Sequence, residues 1–186
     1  MIFIPILADT GMVRLFIAVE ISDDARERIA EIQKDLPSDS IKVVDPRLIH
    51  ITLKFLGETD ESKVQKIKKE LASIKFSHIK LKCKGVGVFP SEKFIRVVWC
   101  GLEEDEGFIQ LKEVADEVEK KMMAMGFEKN DYPFSPHLTI GRPRGKVDLA
   151  EFLKKHKADE FGDFTVAEIK LKKSTLTPKG PIYEDI

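Results

Sequence analysis

Two short segments, HITL at residues 50–53 and HLTI at residues 137–140, each set a histidine and a threonine two residues apart in an otherwise apolar run. In an extended chain, residues i and i+2 project from the same face. His50 and Thr52 therefore point together, as do His137 and Thr139, while Ile49, Ile51 and Leu53, and likewise Leu138 and Ile140, turn toward a core. An imidazole titrates near pH 6.5, so one ring can act as a base while its partner acts as an acid. A reaction that takes a proton from a nucleophile and gives one to a leaving oxygen needs that pairing. Phosphodiester cleavage is such a reaction, and the two threonine hydroxyls would donate to the nonbridging phosphoryl oxygens. This chemistry requires no metal and no cofactor.

Other readings of the same residues fit less well. Zinc needs three or four converging ligands, and neither pair has a carboxylate or thiol on its own face. No G-x-S-x-G nucleophile motif is present, no Walker A sequence, and the Gly85-Val86-Gly87 fragment lacks the third glycine of a dinucleotide loop. His78 and His156 lack a threonine companion and sit among serines or lysines, so both read as solvated side chains. Cys83 and Cys100 read as small apolar strand residues, too few for a metal cluster or a disulfide framework.

The composition bounds the partner. The 186 residues are 42% hydrophobic and 34% charged, and 31 basic against 32 acidic residues leave a net charge of -1. No global basic field advertises a long nucleic acid, so any anion site is local. Gln33, Gln65, Gln110 and Asn130 are the only amide side chains, a scarcity that beside abundant Lys and Glu suggests a thermophile. Nothing approaches the roughly 18 to 20 apolar residues that span a bilayer, and the opening MIFIPILADTG lacks the basic leading region and cleavage site of a signal peptide. A cytoplasmic monomer is expected.

The elements that must position the two pairs are legible in outline. VRLFIAVEI reads as a strand, and Ser22 caps a helix carrying Ala25, Ile29, Ile32 and Leu36 at helical spacing. IKVV is extended, and a second helix follows the first His-x-Thr strand through Val64, Ile67, Leu71 and Ile74. Alternation over residues 77–89 and 94–102 predicts a hairpin. A long helix over 105–125 follows, with Gly126 as its stop. After the second His-x-Thr strand come a short helix, VDLAEFLKKH, and one long closing strand, FTVAEIKLKKSTLTP. The order suggests two related α+β halves in one compact body.

The segments HITLKFLGE at 50–58 and FSPHLTIGR at 134–142 resemble the two signature motifs of the 2'-5' RNA ligase family, also called RNA 2',3'-cyclic phosphodiesterases, within the two-histidine phosphoesterase superfamily. VRLFIAVEI and STLTPKGPIYE are similar to that family's first and last strands. The resemblance thus covers residues 12–186, read as a single two-lobed domain; residues 1–11 read as an extension, with Met12 as the alternative start. It implies an α+β, bilobal fold: two antiparallel β-sheets, helices on the outer faces, and lobes related by a pseudo-twofold axis around a central cleft. It implies hydrolysis of RNA 2',3'-cyclic phosphate ends to 2'-phosphates, with His50 as proton donor to the leaving 3'-oxygen, His137 as acceptor from water, and Thr52 and Thr139 on the phosphate. The spacing alone leaves the donor and acceptor open. Some members join tRNA halves through a 2'-5' bond, and a noncatalytic nucleotide- or RNA-binding module is the third alternative.

Arg142 lies five residues after His137, where similar proteins place a phosphate-binding arginine. Strict alternation points it away from the His face, but Gly141 and Pro143 can end the regular strand beside it. Phe55 is likewise out of phase and reads as core, with stacking on a terminal base as the other reading. By parity Lys54 and Arg96 could line the cleft; otherwise they, like Arg144, are solvated.

Overall fold

The computed structural model describes residues 11–178 and 180–186, so the extension expected at 1–11 lies, apart from Gly11, outside the described residues. The elements run β1 (Met12–Val19), α1 (Asp23–Gln33), β2 (Ile41–Val43), β3 (Ile51–Asp60), α2 (Val64–Ala72), β4 (Ile79–Ser91), β5 (Phe94–Leu102), α3 (Glu106–Ala124), β6 (Leu138–Pro143), α4 (Ala150–His156), β7 (Glu160–Val166), β8 (Lys170–Thr177) and β9 (Gly180–Asp185). Local chemistry explains the helix starts: Ser22 Oγ accepts from the Ala25 amide at 3.2 Å, and the Asp105 carboxylate caps α3 through the Phe108 amide at 3.1 Å. The expected hairpin is β4–β5. The single closing strand expected over 164–178 is instead two, the end of β7 and β8, because the chain leaves the ladder at 167–169; β9 follows as a further strand.

All ladders are antiparallel. The order is β7-β4-β5-β6-β3-β1-β8-β9, with β2 also paired to β6. Among the described residues the strands form one nine-stranded sheet, within which the lobes of the expectation correspond to β7-β4-β5-β6 and β3-β1-β8-β9, joined at the β3–β6 pairing. The halves also exchange strands. In sequence the β4–β5 hairpin follows α2 of the first half but pairs β6 of the second, and the β8–β9 pair follows the second half but joins β1 of the first.

One face of the sheet is sealed by a continuous apolar core, including Leu15, Ile17, Val19, Ile51, Leu53, Val98, Leu138 and Ile140, with Ile29, Ile67, Leu111 and Met122 from the helices. Cys83 and Cys100 lie in it as free thiols, and burial pushes the Cys83 thiol up to about 12. His156 is a correction to the sequence reading. It is 3% exposed, with Nε2 2.7 Å from Asp35 Oδ2 and Nδ1 2.6 Å from Asp159 Oδ2, so it joins α4 to the chain after α1.

Candidate active site

Each histidine sits one residue before its strand begins, and β3 pairs β6 with Ile51 opposite Leu138. Continuing that antiparallel register by one residue sets His50 opposite Thr139 and Thr52 opposite His137. Side chains opposite one another share a face, and diagonal neighbours lie about 7–8 Å apart at Cα. The two imidazoles are such diagonal neighbours on one face of the sheet.

The two rings are held in the same way. His50 Nδ1 lies 2.7 Å from the Leu48 carbonyl and His137 Nδ1 lies 2.8 Å from the Ser135 carbonyl, in each case two residues upstream. A carbonyl only accepts, so each Nδ1 carries a proton and each neutral ring presents its lone pair at Nε2. Thr52 Oγ1 lies 2.9 Å from His50 Nε2 and donates to it when the ring is neutral.

A β-bulge follows each pair at the same place. Ala18 pairs Thr52 while Ile17 pairs Lys54, which leaves Leu53 as the extra residue; Trp99 pairs Thr139 while Val98 pairs Gly141, which leaves Ile140 as the extra residue. A bulge resets the alternation of side chains. Position His+4 therefore turns to the core and position His+5 returns to the histidine face. In the first half these are Lys54 and Phe55, in the second Gly141 and Arg142.

This corrects the parity reading. Lys54 does not line the cleft: it is 2% exposed, with Nζ 2.7 Å from Glu119 Oε2, 2.8 Å from the Glu128 carbonyl and 3.3 Å from Asn130 Oδ1. Phe55 is not core: it is 69% exposed, and its ring centroid lies 6.2 Å from that of Phe16. Arg142 stands on the site face, where its charge acts on both His137 and Tyr183. Arg96 is exposed with its guanidinium 4.8 Å from the Phe94 ring centroid. Arg144 donates to the Ser38 and Asp39 carbonyls.

Aromatic rings wall both imidazoles. His50 stacks on Phe16 at 5.0 Å and meets Tyr183 edge-on at 5.4 Å; His137 meets Phe89 edge-on at 5.0 Å, and Phe89 leans on Trp99 at 5.1 Å. Tyr183 is on β9, three strands from β3, a separation of about 14 Å on a flat sheet. The contact with His50 shows that the sheet curls over its site face into a trough. Sequence reading missed Phe16, Tyr183, Phe89 and Trp99 as site residues; alternation in β1 and β5 carried the signal for Phe16 and Trp99, since each points away from the apolar set at its flanks.

Burial pushes both histidines below their ordinary value. Their surroundings differ in detail. At His50 the Leu48 carbonyl and the Glu20 carboxylate oppose that shift, and Lys172 and Arg26 add to it; at His137 the Ser135 carbonyl opposes it and Arg142 adds to it. Glu20 is itself held in a network, with Lys172 Nζ 2.5 Å from Glu20 Oε1 and 2.5 Å from Asp185 Oδ1, and with Arg26 paired to its other oxygen.

Comparison with known proteins divides the sequence between the two motifs. The family model LigT like Phosphoesterase matches twice, over residues 19–99 and 102–183, once for each His-x-Thr pair. A protein of Archaeoglobus fulgidus named RNA 2',3'-cyclic phosphodiesterase is 42% identical over 175 residues, covering 93% of this chain and 97% of its own. One of the same name from Methanocaldococcus jannaschii is also 42% identical, over 93% of this chain and 98% of its own. The fold is that of E. coli LigT, solved in complex with 3'-AMP, at a TM-score of 0.80 and 22% identity over 94% of this chain and 95% of that one.

Proposed function

The chain belongs to the LigT-like phosphoesterase family, and from that premise we propose that it opens RNA 2',3'-cyclic phosphodiester ends to 2'-phosphomonoesters by paired-histidine acid–base chemistry. The observation that carries the mechanism is the matched pair of Nδ1–H···O=C bonds, which leaves a titratable Nε2 on each of two diagonal neighbours of one sheet face. His137 Nε2 takes a proton from water as the water oxygen bonds to phosphorus. The P–O3' bond breaks, and protonated His50 Nε2 delivers its proton to the 3'-oxygen. The products are a 3'-hydroxyl and a 2'-phosphate.

The donor role of His50 and the acceptor role of His137 are those the family resemblance implies. With both rings neutral in the empty site, a bound phosphate monoanion draws one proton in, because an anion stabilises the nearby imidazolium. Thr52, Thr139 and Arg142 hold the nonbridging oxygens, and their donors are worth most where charge is greatest in the transition state. Phe55, beside Phe16, is the surface on which the terminal base stacks.

The same geometry accepts the 5'-hydroxyl of a second RNA in place of water, and the product is then a 2'-5' linkage between, for example, tRNA halves. The deciding experiment incubates the protein with an RNA ending in a 2',3'-cyclic phosphate, with and without a 5'-hydroxyl acceptor, and separates 2'-phosphate, 3'-phosphate and joined product. Release of 2'-phosphate that depends on both histidines supports the proposal; 3'-phosphate as the main product overturns it, joined product as the main product selects ligation, and binding without turnover selects the noncatalytic module. A monomer at work in the cytoplasm completes the reading; among the described residues no helix is long and apolar enough to cross a membrane.

A further inference from the structure

The site face continues beyond the histidines along the β2–β6 ribbon, and there it is basic. Lys42 lies directly opposite Arg142 in the ladder, and the Arg144 amide extends it by donating to the Ser40 carbonyl at 2.8 Å. The opposite face of this ribbon is core: Ile41 is 1% exposed, and a Cβ on Gly141 would meet Ile41 at 2.8 Å and Leu36 at 3.4 Å. Lys42 and Arg142 therefore share the histidine face, to which the bulge at Ile140 returns the strand. All three cations are exposed, and among the described residues none of them forms an ion pair, whereas most other cations near the site do. Like charges directly opposite one another on a ladder repel. On a chain of net charge -1, this uncompensated pair is a local feature that an anion would relieve.

We propose that Lys42, beside Arg142 and backed by Arg144, binds the backbone phosphodiester upstream of the reacting end, so that the preferred substrate is an oligonucleotide terminus and not a cyclic mononucleotide. The inference rests on the reading of the histidine pair as acting on an RNA end. The geometry suits one such phosphate. Arg142 is three residues beyond Thr139, about 10 Å along a strand that rises roughly 3.3 Å per residue, and Lys42 is one strand spacing, about 4.8 Å, to the side. Arg142 is thus placed between the reacting phosphate and Lys42. The track is short, which agrees with contact at a single-stranded end and not along a duplex.

The test compares three substrates on the full chain: cytidine 2',3'-cyclic phosphate, a trinucleotide with the same cyclic end, and that trinucleotide with an uncharged methylphosphonate at its last internal linkage. Lys42→Ala should lower kcat/KM for the charged trinucleotide about fivefold relative to either other substrate. It should also make the logarithmic salt dependence shallower by about 0.7, the value of one single-strand phosphate contact. An equal effect of Lys42→Ala on all three substrates overturns the inference while leaving the hydrolase intact. Failure of the wild type to hydrolyse any of them overturns the hydrolase reading instead. The track is then judged by calorimetric binding of the trinucleotide with a 2'-phosphate end, where an unchanged Kd in Lys42→Ala refutes it.

Discussion

Lys54→Met separates a bulged strand from a regular one. If alternation ran unbroken from His50, Lys54 would stand in the cleft, and its loss would weaken substrate binding with little effect on stability. In the structure all three ammonium protons are used in the interior, on the Glu119 carboxylate, the Glu128 carbonyl and Asn130 Oδ1, and the paired side chains are only 1% and 18% exposed. Methionine fills the aliphatic volume but leaves that carboxylate and two neutral acceptors without their donor. Removing one partner of a buried ion pair costs about 3–5 kcal/mol. At about 2–4 °C per kcal/mol for a chain of this length, the melting temperature falls by roughly 6–20 °C. Lys54→Met/Glu119→Gln should recover more than about 1 kcal/mol relative to Lys54→Met. Its neutral amide still accepts from the Asn130 amide, which now bonds Glu119 Oε1 at 2.7 Å. Thermal and urea unfolding of the four members of this cycle, with KM measured on each, decide the matter. A Lys54→Met protein that melts within about 2 °C of wild type and shows only a raised KM would refute the assignment of Lys54 to the core.

Replacing His50 or His137 with alanine should each lower kcat by about 10²- to 10⁴-fold in single-turnover hydrolysis, and near-normal rates in either variant would remove the acid–base pairing. Because burial lowers both rings in the free protein, the acid-side limb of kcat/KM should fall below about pH 6.5. Bound phosphate raises the acid's affinity for its proton, so the alkaline limb of kcat should lie at higher pH than that of kcat/KM; coincident limbs would count against it. Gly87→Ala should lower kcat, since its Cβ would come within 2.2 Å of the Trp99 ring that backs Phe89 and His137, and an unaltered kcat would show that this wall does not position the ring. His156→Leu should cost about 1–2 kcal/mol, because Asp35 and Asp159 are 39% and 45% exposed and regain water. It should spare kcat/KM well below the melting temperature, and a selective loss of activity would contradict a purely structural role.

The pattern of apolar residues made the histidine–threonine pairs legible because both lie ahead of their bulges, where alternation still holds. It misplaced Lys54 and Phe55 because a bulge adds a residue without changing the apolar run: Leu53 and Lys54 are consecutive and both buried. His156 read as solvated because its sequence neighbours are lysines, while Asp35 lies 121 residues away and becomes a partner only in the fold. The charges that act on the rings, Glu20, Lys172 and Arg26 at His50 and Arg142 at His137, are brought there by the fold and have no counterpart in the spacing of the two motifs.

The same tertiary logic explains the scarce amides. Gln33, at the end of α1 and 5% exposed, donates from Nε2 to the Ile140 carbonyl at 2.9 Å and to the Val44 carbonyl at 2.8 Å, so it braces the bulge in β6. Asn130 Oδ1 accepts from Lys54, next to the bulge in β3, and the Asn130 backbone N–H donates to Glu119 on α3. A first-half helix thus braces the second motif strand, and a second-half helix braces the first. Together with the exchange of the β4–β5 and β8–β9 hairpins, this crossing makes the distance between the imidazoles a property of both halves at once. A half folded alone would expose its bulge with an unpaired carbonyl or ammonium inside. The duplicated motif therefore yields a working pair only when each half completes the interior of the other.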